Sequence, residues 1–69
     1  MKDQERDQLR KTILQLVKKG HVHYTDIEKK ACATCLSFAT TNTIRKQFYH
    51  YLLQNDYVER INRGVYKIA

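Results

Sequence analysis

The sequence predicts one small α+β domain, mainly helical with a small sheet, in the order helix, short strand, helix, helix, strand, strand. Three observations predict it. The chain has 69 residues, room for a single domain spanning residues 1–69. Apolar side chains recur at helical spacing in two separate stretches: Leu9, Ile13, Leu16 and Val17, then Ile44, Phe48, Tyr51 and Leu52. The chain ends in two short runs of period-two alternation around a glycine-containing turn.

Residues 4–19, "QERDQLRKTILQLVKK", form the first predicted helix. Acidic Asp3, Glu5 and Asp7 lie near its start, and Lys18 and Lys19 lie at its end, an order that complements the helix dipole. Gly20 then supplies the left-handed residue that stops a helix. "HVHY", 21–24, is a short extended strand. Thr25 with Glu28 three residues on reads as a capping box, so the second helix is placed at 25–35 with Ile27, Ala31 and Cys35 inward. "LSFAT", 36–40, is a connection, and either Thr40 or Thr41 can cap the third helix, 41–54. Asn55 and Asp56 tolerate the turn that ends it. "YVERI" and "VYKI" around "NRG" make a β-hairpin over 57–68, with Gly64 at a positive φ.

The charge pattern narrows the functional classes. Thirteen basic side chains against seven acidic ones give a net charge of +6, which favours an anionic partner. No apolar run approaches the roughly 20 residues of a membrane span. The opening "MKDQERDQLRK" has no signal-peptide core, so a cytoplasmic protein is expected. Enzyme chemistry finds no footing: there is no G-x-S-x-G, no phosphate-cradling glycine loop and no paired carboxylates beside a pocket-sized core. No cofactor and no small-molecule substrate are expected.

At about 100° per residue, the third helix turns Asn42, Thr43, Lys46, Tyr49 and His50 away from its apolar stripe, with Arg45 on the edge. Asn can pair with adenine, Lys and Arg reach guanine or phosphate, and a Thr methyl can meet a thymine methyl. Thr41, Thr43 and the free N–H groups at the helix start suit phosphate. Polarity alone is what any solvated helix shows. Two details go further: no acidic side chain occurs from Leu36 to Asn55, and a tyrosine lies on the outward face. Arg60, Asn62 and Arg63 cluster at the hairpin tip, with Lys67 on the returning strand. Glu59 falls on the opposite side of the alternation from Val58 and Arg60, and is expected away from the groove or paired with a lysine. The basic groups of the first helix are read as a solvated face.

This succession resembles the winged helix-turn-helix family from about residue 8 to 69. The second helix carries it in "YTDIEKKA" and the third in "TNTIRKQFYHYL", while "LLQNDYVERINRGVYKI" supplies helix end, strand, turn and strand. The chain departs from that family in having Asn55-Asp56 where glycine is common, and a longer connection, "CATCLSFAT", between the second and third helices. The resemblance implies a recognition helix in the major groove and a wing on the backbone or minor groove, where Arg is favoured. It further implies sequence-specific binding of double-stranded DNA, by a small transcriptional regulator of the stand-alone kind found in archaea, their viruses or plasmids. Leu14 widens the apolar stripe of the first helix, so a homodimer suited to palindromic sites is expected. The alternative is a winged helix used as a protein–protein interaction module in a larger assembly. An acidic or apolar exposed patch on the third helix would favour that reading.

His21, His23, Cys32 and Cys35 form a separate constellation within fifteen residues. Three states are open to it: ordinary thiols, a Cys32–Cys35 disulfide, or a zinc site using all four. The spacing is not a standard zinc spacing, and Cys35 fits the core as a small apolar residue.

Overall fold

A computed structural model describes residues 2–35 and 39–69. Three helical stretches are followed by a two-stranded antiparallel sheet. The first helix, α1, spans Asp3–Lys18, and the second, α2, spans Tyr24–Thr34. The third, α3, covers Thr41–Gln47 and runs without a break into a π-helical segment, Phe48–Leu53. Strands β1, Val58–Asn62, and β2, Val65–Ile68, form the hairpin. The expected connection at 36–38 lies outside the described residues.

The periodic apolar residues make the core. Leu9, Ile13, Ile27, Ala31, Cys35, Ile44, Phe48 and Leu52 have no exposed surface, and Val17, Tyr24, Val58 and Tyr66 join them nearly buried. Phe48 is the hub. Its ring meets Tyr24 at 5.1 Å, Tyr49 at 5.2 Å and Tyr66 at 4.7 Å, each edge to face. Such pairs add roughly 0.5–1.5 kcal/mol beyond area burial.

Two helix ends use the same device. After α1, the N–H of Gly20 bonds the Val17 carbonyl and that of His21 bonds the Leu16 carbonyl. After the π-helical segment, the N–H of Asp56 bonds the Leu53 carbonyl and that of Tyr57 bonds the Leu52 carbonyl. Both are Schellman closures, with Gly20 at φ 107° and Asp56 at φ 61° in the left-handed position. Asp56 thus stands where a glycine is commonly found.

Three boundaries differ from the sequence reading for tertiary reasons. Thr25 and Glu28 do not cap α2. The helix starts one residue earlier with His23 at its cap, and the Tyr24 N–H bonds the Gly64 carbonyl of the hairpin at 2.9 Å. That bond satisfies the first free N–H of the helix from outside it, across to the hairpin. Glu28 turns instead to Arg45, 3.6 Å away. The extended piece at 21–24 is one antiparallel bridge, His23 to Val65, reinforced by Tyr66 N–H to the Val22 carbonyl at 2.8 Å. Finally, the helix expected at 41–54 changes pitch at Phe48.

Arg10 is a second departure from expectation. Rather than standing in solvent, it donates from Nε to Gln47 Oε1 at 2.8 Å and lies with Cζ 3.3 Å from the Tyr51 ring centroid. Tyr57 stacks with the same ring at 5.6 Å. This cation–π arrangement ties α1 to the third helix.

Candidate nucleic-acid interface

The face of interest is built on α3. Thr40 caps the helix, accepting from the Thr43 N–H at 3.3 Å, and the Thr40 and Thr43 hydroxyls lie 3.0 Å apart. Ile44 is the one buried residue of Thr41–Gln47, so the rest of that stretch points outward or lies at the edge. A shallow open concavity forms where it meets the start of α1. Asn42, Thr43, Arg45, Lys46 and His50 line it together with Arg6 and Gln47. Five of the ten residues picked out from sequence therefore share one surface. Arg6 belongs to the face that sequence reads as solvated; its place here follows from α1 packing beside α3, which periodicity does not reveal. Its guanidinium also pairs with Asp3 at 2.8 Å.

Thr41 lies elsewhere, in a second depression with Thr25, Glu28, Lys29 and Cys32. Tyr49 is not on the outward face. It is half-buried, against Tyr24 at 5.1 Å and Tyr66 at 6.2 Å, with a 3.4 Å hydrogen bond between the Tyr66 and Tyr49 hydroxyls. A helical wheel shows one helix alone, and here Tyr24 of α2 and Tyr66 of β2 close over the flank that the wheel leaves outward.

Arg60, Asn62 and Arg63 remain exposed at the hairpin tip. Pairing runs Val58 with Ile68, Glu59 with Lys67, Arg60 with Tyr66 and Asn62 with Val65, leaving Ile61 as a bulge. Asn62 Oδ1 accepts the Arg63 N–H at 2.8 Å, and Arg60 Nε reaches the Asn62 carbonyl at 3.4 Å. Gly64 sits at φ 71°. Glu59 lies opposite Lys67, with the charged atoms 3.8 Å apart.

Electrostatics link the helix to the hairpin. Burial pushes Tyr49 up to about 12, the Tyr66 hydroxyl adds to the shift, and the charges of Arg45 and Arg60 both oppose it. Charges on the helix and on the hairpin therefore act on the same hydroxyl. Tyr24 is raised further, chiefly by burial and then by Glu28, with Arg45 opposing. Its hydroxyl is buried without a well-formed hydrogen bond. Arg45 is itself held more firmly protonated, first by Tyr24 and then by Glu28.

A pH dependence results. Unfolded tyrosines ionise at pH ~10, so the stability supplied by neutral Tyr24 and Tyr49 is complete below that value. It is lost as pH rises through the higher folded values. Alkaline titration should show these two phenolates appearing only as helical circular dichroism collapses. Ionisation of all five tyrosines together near the ordinary value, with the fold intact, would refute this.

The histidine–cysteine set does not gather. Cys32 and Cys35 are free thiols, and His21 Nδ1 lies 2.7 Å from Asp26 Oδ2. Cys35 is fully buried, its Sγ 3.8 Å from Thr12 Oγ1. Among the described residues no group of three or more His, Cys, Asp or Glu side chains is placed to hold a metal ion, and no helix is long and apolar enough to cross a membrane.

Comparisons with protein-family models, with curated proteins and with solved structures return no match to this chain.

Proposed function

We propose that this chain is a winged helix-turn-helix transcriptional regulator that binds double-stranded DNA sequence-specifically, as a homodimer. The helix from Thr41 lies in the major groove and the hairpin from Val58 to Ile68 acts as the wing. The observation that carries this reading is the shared concavity of Asn42, Arg45, Lys46, His50 and Arg6, which gathers three cationic side chains on one surface. Asn42 and Lys46 offer base-edge contacts, and Arg6, Arg60 and Arg63 offer phosphate or minor-groove contacts. The pairing of the 22–24 segment with β2 also supports the wing assignment, because it fixes the hairpin beside α2.

The test is fluorescence anisotropy against a mixed-sequence duplex, from low to physiological salt. Affinity should fall steeply with salt, with a log–log slope of roughly −0.9 per phosphate neutralised. Arg63→Ala should weaken binding to every sequence alike and flatten that slope by about 1. A parent protein with no affinity at low salt would overturn the proposal, and the same surface would then be tried against protein partners.

A further inference from the structure

We propose that the groove at the C-terminal end of α1 is where a second copy of this chain docks, across a two-fold axis that sets Lys18 of each copy against Asp56 of the other. This deepens the homodimer reading above and does not depend on nucleic acid being the ligand. The groove is lined by Leu14, Val17, Lys18, Asp56, Tyr57 and Ile68. Three large apolar side chains stand exposed among the described residues, and two of them are here: Tyr57, 46 % exposed, and Ile68, 40 % exposed. Leu14 adds to the same floor.

Asp56 supplies the independent observation. Six of the seven carboxylates have a partner: Asp3 and Asp7 pair with arginines, Glu5 takes a backbone N–H, Asp26 meets His21, Glu28 meets Arg45 and Glu59 meets Lys67. Asp56 has none among the described residues, and neither has Lys18. Asp56 also occupies a left-handed position, φ 61°, where glycine carries no steric penalty. Lys18 and Asp56 thus stand on the rim of one apolar groove, each without an ion-pair partner among the described residues, and each is open to the opposite charge of a second chain.

A two-fold interface must be its own complement. An apolar floor with one charge of each sign on its rim meets that condition, because each copy offers a cation to the other's carboxylate. The opposed pairs also offset the long-range repulsion between two chains of net charge +6. Lys18 is twelve residues along α1 from Arg6, about 18 Å at 1.5 Å per residue. Docking at this end therefore leaves the basic concavity uncovered.

Sedimentation velocity across a concentration series, without DNA, tests this. The parent should dimerise. Lys18→Asp and Asp56→Lys should each sediment as a monomer alone, because each sets like charges together. An equimolar mixture of the two should restore the dimer, since every reversed charge then faces its opposite. A parent that stays monomeric at all concentrations, single reversals that remain dimeric, or a mixture of folded variants that stays monomeric would each overturn the proposal. Should a reversal unfold the chain, Ile68→Ser at the exposed strand end replaces it: loss of the dimer supports the interface, and an unchanged dimer overturns it.

Discussion

Phe48→Ala is expected to leave much of the chain unfolded at physiological temperature. The ring is fully buried and contacts aromatic side chains from α2, from its own helix and from β2. Removing it leaves a cavity that three separate elements would have to collapse into, and Phe→Ala changes in cores cost about 3–5 kcal/mol. At roughly 0.05–0.15 kcal/mol per residue, a 69-residue chain has only about 3–10 kcal/mol of stability. A domain this small shifts in melting temperature by about 4–8 °C per kcal/mol, so the melt should move down by roughly 15 °C or more. Thermal melts followed by circular dichroism read this directly. A melt within about 5 °C of the parent would show that Phe48 is not the keystone of the aromatic cluster.

Lys46→Ala and Arg45→Ala are the second pair of large effects, now on binding. Both side chains are exposed and line the concavity, but they are held differently. Lys46 has no ion-pair partner among the described residues and is free to reach a base or phosphate. Arg45 is steadied by Glu28 at 3.6 Å and lies by the Tyr24 hydroxyl, so less side-chain entropy is lost when it meets its target. Each substitution should cost about 1–3 kcal/mol at the cognate site, which is roughly 5- to 150-fold in affinity. In the proposed mode of binding Arg45→Ala should be the worse, because it also leaves the Glu28 carboxylate uncompensated where phosphate would approach. Anisotropy titrations on a selected site and on a scrambled one separate the cases: a base contact is lost on the first far more than on the second. Equal affinity of both variants and the parent would remove these two residues from the interface.

The stripes of apolar residues are largely legible in the sequence: Leu9, Ile13, Val17, Ile44, Phe48 and Leu52 are buried as their spacing predicts, while Leu16 and Tyr51 of the same stripes are only partly buried. Helix ends are legible to within a residue or two, as at Asp3–Lys18 against the expected 4–19. What sequence conceals is every choice made between distant segments. The Gly64 carbonyl takes the first N–H of α2, and Arg10 directs its charge to Tyr51 and Gln47. Tyr49 is misplaced by a helical wheel, because Tyr24 and Tyr66 from other elements cover it. The basic character of the candidate site is visible residue by residue, but its convergence with Arg6 is not, because that depends on how α1 crosses α3.

The third helical stretch divides along its length. Its first seven residues place only Ile44 in the core, whereas Phe48 and Leu52 anchor the π-helical half. Side chains at 42, 45 and 46 thus carry almost none of the folding energy, so they can be exchanged with little penalty to the scaffold. The end of the helix that faces outward is in this sense a rewritable cassette on a fixed handle. A lineage, or an experimenter, can rewrite that outward surface by changing a few letters while the same molecule goes on folding.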